Sequence, residues 1–340
     1  MNNEHFYTSE HIDRAALQRR DESWVNERLG SEEALFVPVW HEKSFVDGAE
    51  AEGDTEYRLS GAPDAPAAPD RRLKAVFLRA DEALPLLDGH RRAVLLGESG
   101  PHTYFALDLS DLDDARAHRS LAGRGDFVAL RSVGPLLDRF DGGLLAYARG
   151  MVRWHQQNTY CGVCGVRTVM LEAGFLRRCT DADCGQQHFP RTDPAIIVLV
   201  THNDRALLGR QAKWDATWYS VLAGFVEPGE SLEQAVRREV KEEAGITVDE
   251  VRYDSSQPWP FPSSLMIGFT AEAIDDDIHI GDHELEDARW FTRAEINAAL
   301  EAGELRLSPH TSISRHLIES WRKREPEACV APFPVLEDTR

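Results

Sequence analysis

Apolar and polar positions along this chain follow two periods, and the change from one to the other marks its elements. In the first half LKAVFL (Leu73 to Leu78), RAVLLG (Arg92 to Gly97) and TYFALDL (Thr103 to Leu109) read as strands. Apolar residues then recur at helical spacing from Leu136 to Gln157, which predicts a connecting helix that ends in VRWH. PAIIVLV (Pro194 to Val200) reads as a buried strand, and ALLGR (Ala206 to Arg210), WYSVLAGFV (Trp218 to Val226) and LMIGFTAEA (Leu265 to Ala273) supply further strands. Among them a helix is predicted from Ser231 to Ala244, opened by a capping box of Ser231 and Gln234 and closed by Gly245. A last helix is predicted over Ser312 to Lys323. Between Val46 and Asp70 the periodicity lapses into Ala, Pro, Gly and acid, which predicts a mobile surface loop.

Length and composition set limits on this picture. With 340 residues the chain suits two domains plus a small module, and 42% hydrophobic with 28% charged residues describes an ordinary globular protein. No apolar run approaches the length of a membrane span, and MNNEHFYTSEHIDR has neither a basic nor an apolar leader region, so the expected compartment is the cytoplasm. The 38 Lys and Arg against 58 Asp and Glu give a net charge of −20, which opposes long-range attraction of a bare polyanion. Small anions still bind such a protein through a metal ion.

Charge also singles out one helix face. With Leu232 at 0° and about 100° per residue, Val236 falls near about 40°, Val240 near about 80° and Ala235 near about 300°. On the same scale Glu239 and Glu243 fall at about 340° and about 20°, inside the apolar stripe, with Glu242 beside them at about 280°. Inward carboxylates cost several kcal/mol each unless a cation meets them, and hard oxygen ligands one turn apart suit Mg²⁺ or Mn²⁺. Arg238 is placed to pair with Glu230 and fix the preceding loop on the helix.

Four of the five cysteines crowd into one stretch. Cys161 and Cys164 form a CxxCG turn, and Cys179 and Cys184 a CxxxxCG turn. Two such turns supply four thiolates for a closed, structural zinc site, with His188 as an alternative ligand. Downstream, SQPWPFPSS (Ser256 to Ser264) has three prolines at alternate positions. They hold Trp259 and Phe261 in a stiff display that either stacks on a planar base or simply packs.

With Gly224, Glu230, Arg238, Glu239, Glu242, Glu243, Gly245 and Ile246 in place, GFVEPGESLEQAVRREVKEEAGI resembles a complete Nudix box. The four-cysteine module, the box and SQPWPFPSS in this order resemble the NADH pyrophosphatase subfamily of Nudix hydrolases. This resemblance implies a mixed N-terminal α+β domain over 1–157, a zinc ribbon over 158–190, a Nudix α/β/α sandwich over 191–325 and a tail over 326–340. It implies Mg²⁺- or Mn²⁺-dependent cleavage of NAD(H) to nicotinamide mononucleotide and AMP, removal of the NAD cap from RNA in some members, and a homodimer with shared sites. Carried over by position, Glu239 and Glu243 ligate the catalytic metals, Glu242 assists, and the Ala223 carbonyl and Glu284 complete the set. Phe225, Trp259, Phe261 and Ser264 fall to the substrate, while Gly224, Glu230, Arg238 and Gly245 shape the box. The CxxxxC spacing and the acidic insert before Arg71 depart from the family pattern. Two other functions compete with this one. The first is a Nudix enzyme acting on ADP-ribose or another nucleoside diphosphate derivative, and the second a zinc-ribbon regulatory or nucleic-acid-binding protein.

Overall fold

The computed structural model describes residues 5–48, 72–87, 93–281 and 284–324. The predicted surface loop, from residue 49 onward, and the tail with Cys329 lie outside them.

Seven strands form the first sheet: β1 (Ala34–Trp40), β2 (Lys43–Asp47), β3 (Lys74–Ala75), β4 (Leu78–Arg79), β5 (Ala93–Ser99), β6 (His102–Asp108) and β7 (Asp126–Val128). Their order is β3-β2-β1-β6-β5, with β4 on β1 and β7 on β2. Period-two alternation along β1 feeds two cores, Val37 and Val39 on one face and Ala34 and Phe36 on the other. Helix α1 (Glu22–Leu29) covers the second core with Trp24 and Val25. Helix α2 (Arg139–Gln157) covers the first with Leu144, Leu145, Ala148 and Val152. LKAVFL is not one strand, because the chain crosses there from the edge of β2, where Ala75 faces Val46, to β1, where Leu78 faces Phe36. Nor does α2 start at Leu136. Gly134–Leu136 is a 3₁₀ turn with Pro135 inside it, and the Asp138 carboxylate caps the helix by accepting from the Asp141 N–H.

The ribbon strands β8 (Thr168–Leu171), β9 (Leu176–Cys179) and β10 (Gln187–His188) follow as an antiparallel sheet. Then come β11 (Asp193–His202), β12 (Arg205–Gln211), β13 (Leu222–Phe225), β14 (Val248–Trp259), β15 (Ser264–Ala273) and β16 (Leu285–Thr292), ordered β14-β15-β11-β12-β16 with β13 on β11. The run of apolar residues in β11 reflects burial on both faces. Ile196, Val198 and Val200 pack with α3 (Leu232–Ala244), while Ile197 and Leu199 pack with α4 (Arg293–Ala302) and α5 (Ile313–Lys323). The result is helix, sheet, helix. Only the end of WYSVLAGFV is strand, since Ser220 bridges to Gly209 and Tyr219 bonds to Arg306 before the chain joins β11. SQPWPFPSS is partly strand. Ser256 to Trp259 complete β14, and Pro258 is tolerated because β14 is the edge of the sheet.

Two imidazole rings, that of buried His5 and that of half-buried His155, make this fold sensitive to acid. Burial, reinforced by the charge of His316, holds His5 down at about 4, and burial with the Arg177 guanidinium holds His155 at about 4. Both fold as neutral imidazoles, whereas the unfolded chain takes up protons near pH 6.5. Stability is therefore fully present above about 6.5 and is lost as pH falls towards 4, by about 3 kcal/mol per ring. The midpoint of urea unfolding should drop clearly between pH 7 and about 4.5. An unchanged midpoint would contradict the neutral rings.

Candidate active site and zinc centre

The box folds as its residues require. Ser231 Oγ accepts from the Gln234 N–H at 3.2 Å while Gln234 Oε1 accepts from the Ser231 N–H at 2.8 Å. Gly245 ends α3 at φ +73°, and a Cβ there would stand 2.8 Å from the backbone oxygen of His279. Arg238 fixes the loop to the helix. Its Nε and Nη2 donate to the two Glu230 oxygens at 2.6 and 2.9 Å, Nη2 also donates to the Phe225 carbonyl at 2.9 Å, and Nη1 reaches Glu239 at 2.8 Å and Glu242 at 3.0 Å. The bidentate pair holds the Glu230 carboxyl down at about 2.

The carboxylates of α3 divide as the wheel predicts. Glu243 is 3% exposed and the Glu239 side chain 13%, while Glu242, at 52%, stands at the rim. Gly224 is glycine because the Glu239 carboxylate lies against it, 1.9 Å from where a Cβ would be. Burial raises the Glu239 carboxyl above the usual range and the carboxylates of Glu242 and Glu284 raise it further, against the pull of Arg238. A partly buried acid with two acidic neighbours is the donor set that a hard divalent cation relieves. Among the described residues these oxygens do not converge as tightly as the four cysteine sulfurs.

A cavity of about 630 Å³ opens beside Glu243. Ala223 lines it from β13, Glu243 from α3, Trp259 from the end of β14, and Ser308 and Ser312 from the stretch leading into α5. Lys213, Trp214 and Trp218 come from the crossing between β12 and β13, and Arg131 comes from the N-terminal domain. No motif or periodicity in the sequence marks these four residues or the serines. For Lys213, Trp214 and Trp218 the available signal is a pair of Trp in a polar stretch between strands, QAKWDATW. Phe225 lies outside this lining at 57% exposed. Phe261 packs on the N-terminal core, and Ser264 is buried in the ladder opposite Trp259.

In the ribbon the four sulfurs of Cys161, Cys164, Cys179 and Cys184 lie within 4.8 Å of one another, with Cys161 to Cys184 at 3.8 Å and Cys164 to Cys179 at 3.4 Å. A tetrahedron with Zn–S bonds of about 2.3 Å has edges of about 3.8 Å, so the set fits zinc. The N–H groups of Cys164 and Val163 hold the Cys161 thiol down at about 6, whereas burial pushes Cys179 up to about 12. His188 lies near enough to Cys161 to help hold its thiol down.

The odd spacing has a structural cause. In the first turn the Gly165 N–H donates to the Cys161 carbonyl at 2.9 Å and the Val163 N–H donates to the Cys161 sulfur. In the second the Gly185 N–H donates to the Asp181 carbonyl at 2.9 Å and the Asp183 N–H donates to the Asp181 carboxylate. Asp181 thus occupies the place of the first cysteine in the turn. Cys179, two residues earlier on β9, supplies the thiolate instead.

Residues 33–154 match the NADH pyrophosphatase-like rudimentary NUDIX domain, residues 156–189 the NADH pyrophosphatase zinc ribbon domain, and residues 191–311 the NUDIX domain. The chain is 44% identical over 204 residues to the NAD-capped RNA hydrolase NudC of Mycobacterium bovis, covering 57% of this chain and 64% of that protein. It is 42% identical over 197 residues to the NAD-capped RNA hydrolase NUDT12 of Macaca fascicularis, covering 55% of this chain and 43% of that one. A solved NUDIX hydrolase from Nitrosomonas europaea is 24% identical with a TM-score of 0.39 over 47% of this chain and 91% of that one. The chain therefore spans less than two thirds of the length of these curated relatives. With a rudimentary Nudix domain, a zinc-binding ribbon and an intact box in one order, the chain belongs to the Nudix hydrolase superfamily, in the arrangement of its NADH pyrophosphatase-like members.

Proposed function

We propose that this protein hydrolyses the pyrophosphate bond of NAD(H) to nicotinamide mononucleotide and AMP, and that it removes the NAD cap from RNA, as the names of its relatives suggest. The observation that carries this is the cavity, which sets Glu243 of the box and the adjoining Ala223 within one space with Trp259. Glu239, Glu243, the Ala223 carbonyl and Glu284 would hold Mg²⁺ or Mn²⁺, with Glu242 assisting from the rim. When bound, such ions neutralise pyrophosphate charge and lower the pKa of a water molecule. Arg238 keeps the loop and the helix in one piece, so that these oxygens hold their spacing. Lys213 and Arg131 bring positive charge to a strongly acidic protein where an anionic substrate would lie. Trp259 offers its indole to a nicotinamide or adenine ring. We place the protein in the cytoplasm as a homodimer; among the described residues no helix is long and apolar enough to cross a membrane.

Incubating the protein with Mg²⁺ or Mn²⁺ and a panel of NADH, NAD⁺, ADP-ribose and diadenosine compounds, then identifying products, tests the assignment. Faster hydrolysis of ADP-ribose than of NAD(H) would overturn it. Base stacking is worth about 1 to 3 kcal/mol, so Trp259→Ala should lower kcat/KM for NADH roughly 5- to 150-fold. A pyrophosphate substrate without the stacked ring should lose little. Equal losses on both would make Trp259 a packing residue.

A further inference from the structure

The segment His5–Thr8 lies in a berth lined by glycine. A Cβ on Gly143 would stand 1.9 Å from the Thr8 carbonyl oxygen, one on Gly142 2.4 Å from the Phe6 ring, and one on Gly134 2.3 Å from the Tyr7 hydroxyl. Gly142 and Gly143 sit inside α2, where glycine weakens a helix relative to alanine. Close approach of the segment accounts for them. Tyr7 itself is 3% exposed and adopts φ +70°, a backbone conformation that a non-glycine residue keeps only when its surroundings impose it.

Seated there, the segment reaches across to the Nudix domain. His5 Nε2 meets Ser255 Oγ at 2.6 Å, and Gln257 Nε2 donates to the Phe6 carbonyl at 2.9 Å. Gln257, fully buried, also donates to the Thr311 carbonyl at 2.7 Å and accepts from the Ile313 N–H at 2.8 Å, beside Ser312 on the cavity wall. Tyr7 meets Trp259 edge-on at 5.9 Å and Phe261 at 5.5 Å. The Arg131 guanidinium lies 5.9 Å from the Trp259 ring. Groups of the N-terminal domain thus bracket the indole that lines the cavity.

We propose that His5–Thr8 is a strap through which the N-terminal domain sets the orientation of Trp259, and that Tyr7 is its positioning residue. The inference rests on the reading of Trp259 as the ring-stacking residue. Tyr7 does not line the cavity, so its effect on substrate passes through the indole.

The test uses the full chain with Mg²⁺ and NADH, and five variants: Tyr7→Phe, Tyr7→Leu, Gly143→Ala, Trp259→Ala and the double variant Tyr7→Leu with Trp259→Ala. Tyr7→Leu keeps apolar bulk but loses the ring edge, and it should raise KM about 5-fold or more with kcat nearly unchanged. Tyr7→Phe keeps the ring and should behave as the unaltered protein. Gly143→Ala favours the helix yet fills the berth, so it should reproduce Tyr7→Leu. Adding Tyr7→Leu to Trp259→Ala should cause no further loss. Hydrogen exchange at residues 255–261 should quicken in Tyr7→Leu and Gly143→Ala and not in Tyr7→Phe. Unchanged exchange in both variants, or losses that multiply in the double variant, would overturn the strap. If exchange quickens while Trp259→Ala leaves NADH turnover intact, the coupling stands and the stacking role of Trp259 falls.

Discussion

Replacing Glu243 with glutamine is expected to lower turnover by roughly 10²- to 10⁴-fold while leaving the fold in place. Glutamine keeps the shape of the side chain and removes its charge, at a position 3% exposed that borders the cavity beside Ala223. If the carboxylate holds a metal ion or takes a proton from water, the neutral amide oxygen binds the ion far more weakly and takes no proton. Apo-protein stability should be little changed, because glutamine keeps the shape of the side chain at a site that is 3% exposed. Circular dichroism alongside a turnover assay separates the two effects. Near-normal activity would end the catalytic assignment of Glu243.

Removing zinc should produce the largest loss of stability. The ribbon has little apolar core, with Val163, Val166, Val169 and Phe189 all exposed, so the metal supplies much of its folding energy. In small zinc modules that energy is on the order of 10 kcal/mol. A zinc-selective chelator with Mg²⁺ kept in excess, or Cys179→Ser, should melt the ribbon at a lower temperature than the rest, before NADH turnover falls. It should also release His155, which the ribbon holds through Gly174 and Arg177. Elemental analysis should find one zinc per chain, and none in protein purified without chelator would reject the centre.

What the sequence revealed depended on how local the signal was. The capping box, Gly245 and the inward set of Glu239 and Glu243 follow from spacing along one helix, and the structure shows each. WYSVLAGFV and LKAVFL were read too long because apolar runs do not say where a chain changes its strand partner. The cavity was the least legible part. Arg131, Lys213 and Ser312 come from three separate stretches, and no periodicity links them. Trp259 was singled out for its proline frame, but its bracketing by Tyr7 and Arg131 needed the fold. The second cysteine turn looked irregular until Asp181 was seen to stand in for a cysteine.

The strap has a consequence for the order in which the molecule is completed during synthesis. Its berth on α2 is made within the first half of the chain, whereas Ser255, Gln257 and Trp259 lie some 250 residues beyond the segment they meet. The parallel pairing of β11 with β15 also waits for residues near Ser264, and the pairing of β12 with β16 for residues near Thr292. Contacts so distant along the chain close slowly, and a ribosome delivers their second halves last. The N-terminal domain therefore waits with the edge of Tyr7 uncovered until the C-terminal sheet arrives.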